Sequence, residues 1–195
     1  MTFSNDDTKA RPYSVAKTDS QSIHRSNNRV EEWKTCIHEV IHDQVLKQPH
    51  REAISSEEVS LSYYELDRLA SILASHLITL GAGPEVIVPI CFEKGPSYVI
   101  SMLAVLKANA AFVPLDPEVP IARLQKLIGN VDAKLLLCSQ KYASVLTPVV
   151  ENALSIDIEM IENISKHSKT NKQRAISATS SNLAYLIYTS GSTGE

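Results

Sequence analysis

Along the first 28 residues apolar side chains stand isolated among polar and mixed-charge ones, with no period. Such a composition cannot bury enough surface to offset ordering entropy, so residues 1–29 are expected to be a disordered tail or linker remnant. Order is expected to begin near residues 30–35, with Thr35 capping a helix that runs to about residue 48. Ile37, Ile41 and Val45, with Val40 alongside, form its apolar stripe, and Pro49 lies just beyond it. A hairpin follows, in which residues 53–55 and 59–61 flank the turn Ser56-Glu57-Glu58. Ser62 stands three residues before Glu65, the spacing of a capping box. The helix it opens carries Leu66, Leu69, Leu73 and Leu77 at helical intervals and stops at Gly81 and Gly83-Pro84.

From there the pattern alternates. Residues 86–90 form an apolar strand, and Pro96 starts a helix through Ile100, Leu103 and Leu106. Residues 111–113 are a short strand, Asp116-Pro117 turns the chain, and Pro120 begins a helix containing Leu124, Leu127 and Ile128. Residues 134–138 are again a strand, followed by a weaker helix and a strand near 154–158. Residues 163–182 are polar and without period, which reads as a loop. The last apolar run, 183–188, is unbroken, as a strand covered on both faces requires. Repeated strand–helix alternation predicts an α/β fold: a layered, mostly parallel sheet with flanking helices, spanning residues 30–195.

Composition changes this picture little. A hydrophobic share of 44% and a charged share of 21% suit a globular chain, and a net charge of -3 gives no electrostatic case for nucleic acid or an anionic membrane. No stretch approaches the roughly 20 apolar residues that cross a bilayer. The start, Met1-Thr-Phe-Ser-Asn-Asp-Asp7, lacks the basic and apolar regions of a secretion signal, so a cytoplasmic location is expected. Cys36, Cys91 and Cys138 are far apart, without metal-ligand spacing, and read as reduced thiols.

Chemistry concentrates at the end of the sequence. After the apolar run comes Thr189-Ser-Gly-Ser-Thr-Gly194, whose closely spaced backbone N–H groups and hydroxyls can form a nest for phosphate oxygens. The pattern is neither G-x-x-x-x-G-K-[ST] nor the dinucleotide G-x-G-x-x-G. A Ser/Gly/Thr linker is the plainer reading of the hexapeptide alone, but a linker has no use for six consecutive strand-forming residues before it.

Tyr188 to Gly194 matches the first half of the loop Y-T-S-G-S-T-G-x-P-K-G, and here the sequence resembles the adenylate-forming (AMP-binding) enzymes. Leu61-Ser-Tyr-Tyr-Glu-Leu66 is similar to the motif that opens adenylation domains of nonribosomal peptide synthetases. Leu106-Lys-Ala-Asn-Ala-Ala-Phe-Val-Pro-Leu-Asp116 is similar to their second motif, with Asn109 in place of glycine and Ala110 where a second glycine is common. If that glycine has positive φ, asparagine is its least costly replacement. The runs Val88-Pro-Ile-Cys-Phe-Glu-Lys94 and Met102-Leu-Ala-Val-Leu-Lys107 resemble fungal members. For the first two motifs the expected roles are structural.

The resemblance implies the N-terminal part of an adenylation domain, with the sequence ending inside the phosphate loop. It implies that a carboxylic or amino acid attacks the α-phosphate of ATP, with Mg2+ assisting, before the acyl group passes to a phosphopantetheine thiol. Carrier and condensation domains are the implied partners, with no nucleic acid and no membrane. Thr189, Ser190, Gly191, Ser192, Thr193 and Gly194 would hold the ATP phosphates. No residue is assigned a catalytic or metal-binding role. The family's loop lysine and its adenine, ribose, acid-pocket and lid motifs are not among these residues, so the 195-residue chain is expected to be inert alone and poorly soluble.

Two other readings compete. A half-domain can serve as a non-catalytic interaction module, and His38-Glu-Val-Ile-His42 satisfies the H-E-x-x-H pattern of a zinc hydrolase on a predicted helix. The packed-helix reading of that pentapeptide is preferred, because no downstream motif offers a third ligand. His24, His50, His76 and His167 are solitary.

Overall fold

A computed structural model describes residues 34–57, 59–167 and 179–189. The expected tail, residues 1–29, lies outside them. The first helix, α1, is Ile37–Lys47, and its N-cap is Cys36, one residue beyond the expected Thr35. Glu39 decides this start: its Oε2 accepts the Cys36 N–H at 2.8 Å and satisfies a donor that the helix leaves free. Strands β1 (Glu52–Ser55) and β2 (Ser60–Ser62) form the expected hairpin, antiparallel and slipped between Glu52 and Ile54.

Helix α2, Tyr63–Thr79, opens on the expected capping box. Glu65 N–H donates to Ser62 Oγ at 3.3 Å, and Ser62 N–H donates to Glu65 Oε2 at 2.8 Å. Its leucines Leu69, Leu73 and Leu77 are fully buried. Truncating such a leucine to alanine costs about 2–5 kcal/mol. The helix ends where Gly81 takes φ 96° and Ala82 N–H donates back to Leu77 O at 2.9 Å, a Schellman stop.

Four parallel strands form the central sheet: β3 (Ile87–Cys91), β4 (Ala111–Leu115), β5 (Leu135–Cys138) and β6 (Asn152–Ser155), in the order β4-β3-β5-β6. The connecting helices are α3 (Pro96–Lys107), α4 (Ile121–Asn130) and α5 (Gln140–Leu146). Alternation along the strands divides the core. Val88, Ile90, Phe112, Leu135 and Leu137 face α2 and α3, whereas Cys91, Val113, Leu115, Leu136 and Cys138 face Leu124, Ile128 and Leu146. Covered on both faces, the sheet is the expected layered α/β arrangement. Burial pushes the Cys91 thiol up to about 12 and the Cys138 thiol up to about 11, so both stay uncharged.

Two expectations fail between residues 152 and 167. The strand placed near 154–158 is β6, Asn152–Ser155, and Ile158 instead begins a helix, α6 (Ile158–His167), where a loop was expected from residue 163. Asp157 caps it, its Oδ1 accepting the Met160 N–H at 2.7 Å. Ile158, Ile161 and Ile164 then pack as one stripe onto the α2–α3 side of the core. An Arg68–Glu162 ion pair ties α6 to α2.

Asn109 has φ 61° and stands just past α3; Ala110 N–H donates to Val105 O at 3.0 Å, closing the same Schellman geometry as at Gly81. The glycine of the second motif is thus a helix stop, and asparagine tolerates it. Urea denaturation is expected to place Asn109→Gly within about 1 kcal/mol of the parent and Asn109→Val roughly 2 kcal/mol below it.

Candidate functional site

Because its strands are parallel, the sheet brings Cys91, Leu115, Cys138 and Ser155 to one edge. Loops leaving that edge are where open α/β sheets bind ligands. Residues 183–188 join the sheet beyond β4 and run the same way. Phe112 N–H donates to Ala184 O at 3.2 Å and Leu186 N–H donates to Phe112 O at 2.9 Å, a parallel bridge at Tyr185. Thr189 is therefore delivered at the carboxyl edge, exposed. Ser190, Gly191, Ser192, Thr193 and Gly194 lie outside the described residues.

This last element is a single bridge, not the strand covered on both faces that its apolar run predicts. Leu186 and Tyr188 pack onto the α4–α5 side of the core, while Tyr185 and Ile187 remain 51% and 59% exposed. Tyr185 is partly sheltered by the Phe112 ring, 6.0 Å away. At the loop end, Tyr188 Oη donates to Leu127 O at 2.8 Å, pinning the residue before Thr189 to α4. Two further carboxyl-edge groups are engaged locally: Asp116 Oδ1 accepts the Glu118 N–H at 2.9 Å, and Lys141 pairs with Glu93 at 3.4 Å. A cavity of about 190 Å3 lies at the opposite edge, lined by Cys36, Asn109, Asn182 and Ala184, so it does not adjoin Thr189.

The two histidines of His38-Glu-Val-Ile-His42 share a face of α1, as the spacing requires, but the group they face is an ion pair. Lys107 Nζ donates to Asp67 Oδ1 at 2.5 Å and to Ser71 Oγ at 2.7 Å, and His42 Nδ1 stands 3.7 Å from the same Asp67 oxygen. The carboxylate that His42 faces is thus already paired with an ammonium. Burial lowers the His38 pKa, and the Lys107 charge lowers it further against a rise from Glu39. Glu39 itself is engaged at the Cys36 N–H. Among the described residues no group of three or more His, Cys, Asp or Glu could hold a metal, and no helix is long and apolar enough to cross a membrane. Among the described residues the zinc reading therefore finds no third ligand.

Sequence reasoning missed Asp67 and Glu85, and found Lys107 only as part of the second motif, without its partner. Asp67 and Ser71 lie one helical turn apart and meet Lys107 only through the packing of α2 on α3, so no local signal marks them.

A family model described as AMP-binding enzyme matches residues 41–195. Nonribosomal peptide synthetase 1 of Aspergillus fumigatus is 47% identical over 160 residues, 82% of this chain and 2% of that protein. Nonribosomal peptide synthetase nlsA of Emericella nidulans is 39% identical over 194 residues, 99% of this chain and 3% of that protein. The chain thus spans a small part of the relatives it matches. Among solved structures, VinN superposes with a TM-score of 0.71 at 22% identity, covering 83% of this chain and 42% of VinN. The synthetase FmoA3 in its alpha-methyl-L-serine-AMP bound form gives 0.67 at 22% identity, covering 81% of this chain and 17% of FmoA3. These structures share the fold.

The Asp67–Lys107 contact separates the two readings of α1. Lys107→Met is expected to destabilise the chain by roughly 2–4 kcal/mol in denaturant titrations, with or without added zinc, because it strands a mostly buried carboxylate. Zinc-dependent stabilisation of this variant would instead show that the histidines form a metal site.

Proposed function

Because the chain belongs to the AMP-binding enzyme family, we propose that residues 189–194 are the pyrophosphate-holding loop of an adenylating site in nonribosomal peptide synthesis. The observation that carries this reading is the delivery of Thr189 to the carboxyl edge of a parallel sheet, by a segment bonded to Phe112 and pinned at Tyr188. In the proposed reaction a carboxylate oxygen of an amino or other carboxylic acid attacks the α-phosphorus of ATP. The bond to the bridging oxygen of the β-phosphate breaks, its electron pair leaves with that oxygen, and acyl-adenylate and pyrophosphate result. The sulfur of a phosphopantetheine thiol on a carrier domain then attacks the acyl carbon as its proton is lost; the bond from that carbon to the phosphate oxygen breaks, AMP leaves with the electron pair, and a thioester results.

The loop acts on the leaving group. Hydroxyls of Thr189, Ser190, Ser192 and Thr193 donate to β- and γ-phosphate oxygens, and Gly191 and Gly194 let the backbone approach. Each bond to a charged oxygen is worth about 1.5–3 kcal/mol. Its catalytic share comes from holding pyrophosphate still while charge develops on it. Magnesium bound with ATP would offset the charge on the phosphate oxygens.

Residues 1–195 supply hydroxyls and backbone donors in this loop but no lysine or arginine after Arg174. We infer that they bind triphosphate weakly and do not complete adenylation alone. Calorimetry is expected to give a MgATP Kd on the order of 1 mM, near −4 kcal/mol, weakened at least about a hundredfold, out of the measurable range, by Ser190→Ala with Thr193→Ala. The same chain is expected to show no ATP–pyrophosphate exchange with any amino acid. Measurable exchange would refute the incomplete-site reading, and MgATP binding that ignores the double substitution would refute the loop assignment.

A further inference from the structure

Glu85 occupies a position that its residue type does not favour. The turn Gly83-Pro84-Glu85-Val86 closes with Val86 N–H donating to Gly83 O at 3.1 Å, and Glu85, its third residue, has φ 64°. Turns with proline second and a left-handed third residue ordinarily place glycine there. A glutamate held in that conformation is strained, and such strain persists where the side chain is in use.

The Glu85 carboxylate reaches 97 residues ahead in sequence. Its Oε1 accepts from Asn182 Nδ2 at 2.8 Å and from Leu183 N–H at 3.3 Å. Asn182 is itself fixed: its Oδ1 accepts the Thr179 N–H at 2.9 Å and the Thr179 hydroxyl at 3.2 Å, and its own N–H donates to Thr179 O at 3.0 Å. The next residue after Glu85, Val86, accepts the Ala111 N–H at 2.9 Å, so the turn sits beside the start of β4. Glu85 thus holds the returning chain where it must meet Phe112.

The segment needs such a hold. Among the described residues, two backbone bonds join it to the sheet, both at Phe112, and half of its side chains from Tyr185 to Tyr188 face outward. Because side chains alternate with period two, a slip of one residue would turn Leu186 and Tyr188 outward and release the Tyr188–Leu127 bond. One fastening lies at each end: Glu85 at Asn182 and Leu183, Tyr188 at Leu127. The loop starts at the next residue, Thr189.

We propose that Glu85, through Asn182, is a positioning residue for the phosphate loop, setting the register of the edge segment that carries Thr189. Its functional part rests on the pyrophosphate-loop reading of residues 189–194, and the register clamp stands on geometry alone.

The experiment is amide hydrogen exchange on the 195-residue chain and on Glu85→Gly, Glu85→Gln and Asn182→Asp, with inorganic pyrophosphate titrated into each. Glu85→Gly relieves the turn but removes the clamp. Its melting temperature is expected to hold or rise, while the Leu183 and Leu186 amides exchange at least about tenfold faster and β3 and β5 do not change. Asn182→Asp keeps the acceptor for Thr179 but sets a carboxylate against Glu85, and is expected to speed the same amides. Glu85→Gln keeps an acceptor oxygen and is expected to stay within about twofold of the parent. Pyrophosphate affinity is expected to fall about tenfold in Glu85→Gly and to be restored in Glu85→Gln. Unchanged Leu186 exchange in Glu85→Gly would overturn the clamp. Faster exchange with no loss of affinity would overturn the positioning role. A parent chain that does not bind pyrophosphate would overturn the loop reading and that role with it, while the exchange data still decide the clamp.

Discussion

Parallel pairing in the central sheet is the constraint on which the other features depend. Ile87 to Cys91 of β3 meets β4 in unbroken register on one side, and Ile90 and Cys91 meet Leu137 and Cys138 of β5 on the other. Parallel neighbours cannot be joined by tight turns, so each strand must be followed by a crossover, and the apolar stripes of α3, α4 and α5 cover the faces that result. The same constraint sends every strand's carboxyl end to one edge. A loop that follows a strand of this sheet has no other edge to reach, and residues 183–188 obey the rule although they add only one bridge.

Helix ends set where those strands begin. Gly81 and Asn109 both adopt left-handed conformations that return Ala82 and Ala110 to the last turns of α2 and α3. Each stop is followed within a few residues by a strand, so a helix one turn longer would shift β3 or β4 out of register. The Asp67–Lys107 pair fastens α2 to α3 at the end of α3, immediately before the Asn109 stop. The second sequence motif is therefore a structural device: lysine to fasten the helix, asparagine to end it, and Phe112 to receive the edge segment.

Local features are legible in the sequence and long-range ones are not. The Ser62–Glu65 box, the Gly81 stop and the Pro96 start depend on a few neighbouring residues, and each lies where the spacing predicts. Strand β6 lies off its expected place because Asn152-Ala-Leu-Ser155 has little intrinsic strand character; pairing with Leu135–Cys138 selects it. Helix α6 escapes the sequence pattern because its stripe of Ile158, Ile161 and Ile164 spans an expected strand and an expected loop. Its Asp157 cap shows itself only once the strand is seen to end at Ser155. The last apolar run reads as fully buried because composition cannot distinguish a central strand from an edge. Of the candidate site, the run of hydroxyl and glycine residues at 189–194 is readable in the sequence, but Tyr188–Leu127 and Glu85–Asn182 join residues 61 and 97 apart and exist only in the fold.

The proposed place for phosphate is the carboxyl edge of the sheet, where Thr189 emerges, rather than the α1 face or the cavity beside Cys36. Backbone amide chemical-shift mapping of the isotopically labelled chain during a pyrophosphate titration tests it most directly. The account predicts shifts concentrated at residues 189–194 and at the neighbouring ends of β3 and β4, with Cys36, His38 and His42 unmoved. Saturable shifts centred on α1, with residues 189–194 unaffected, would contradict it.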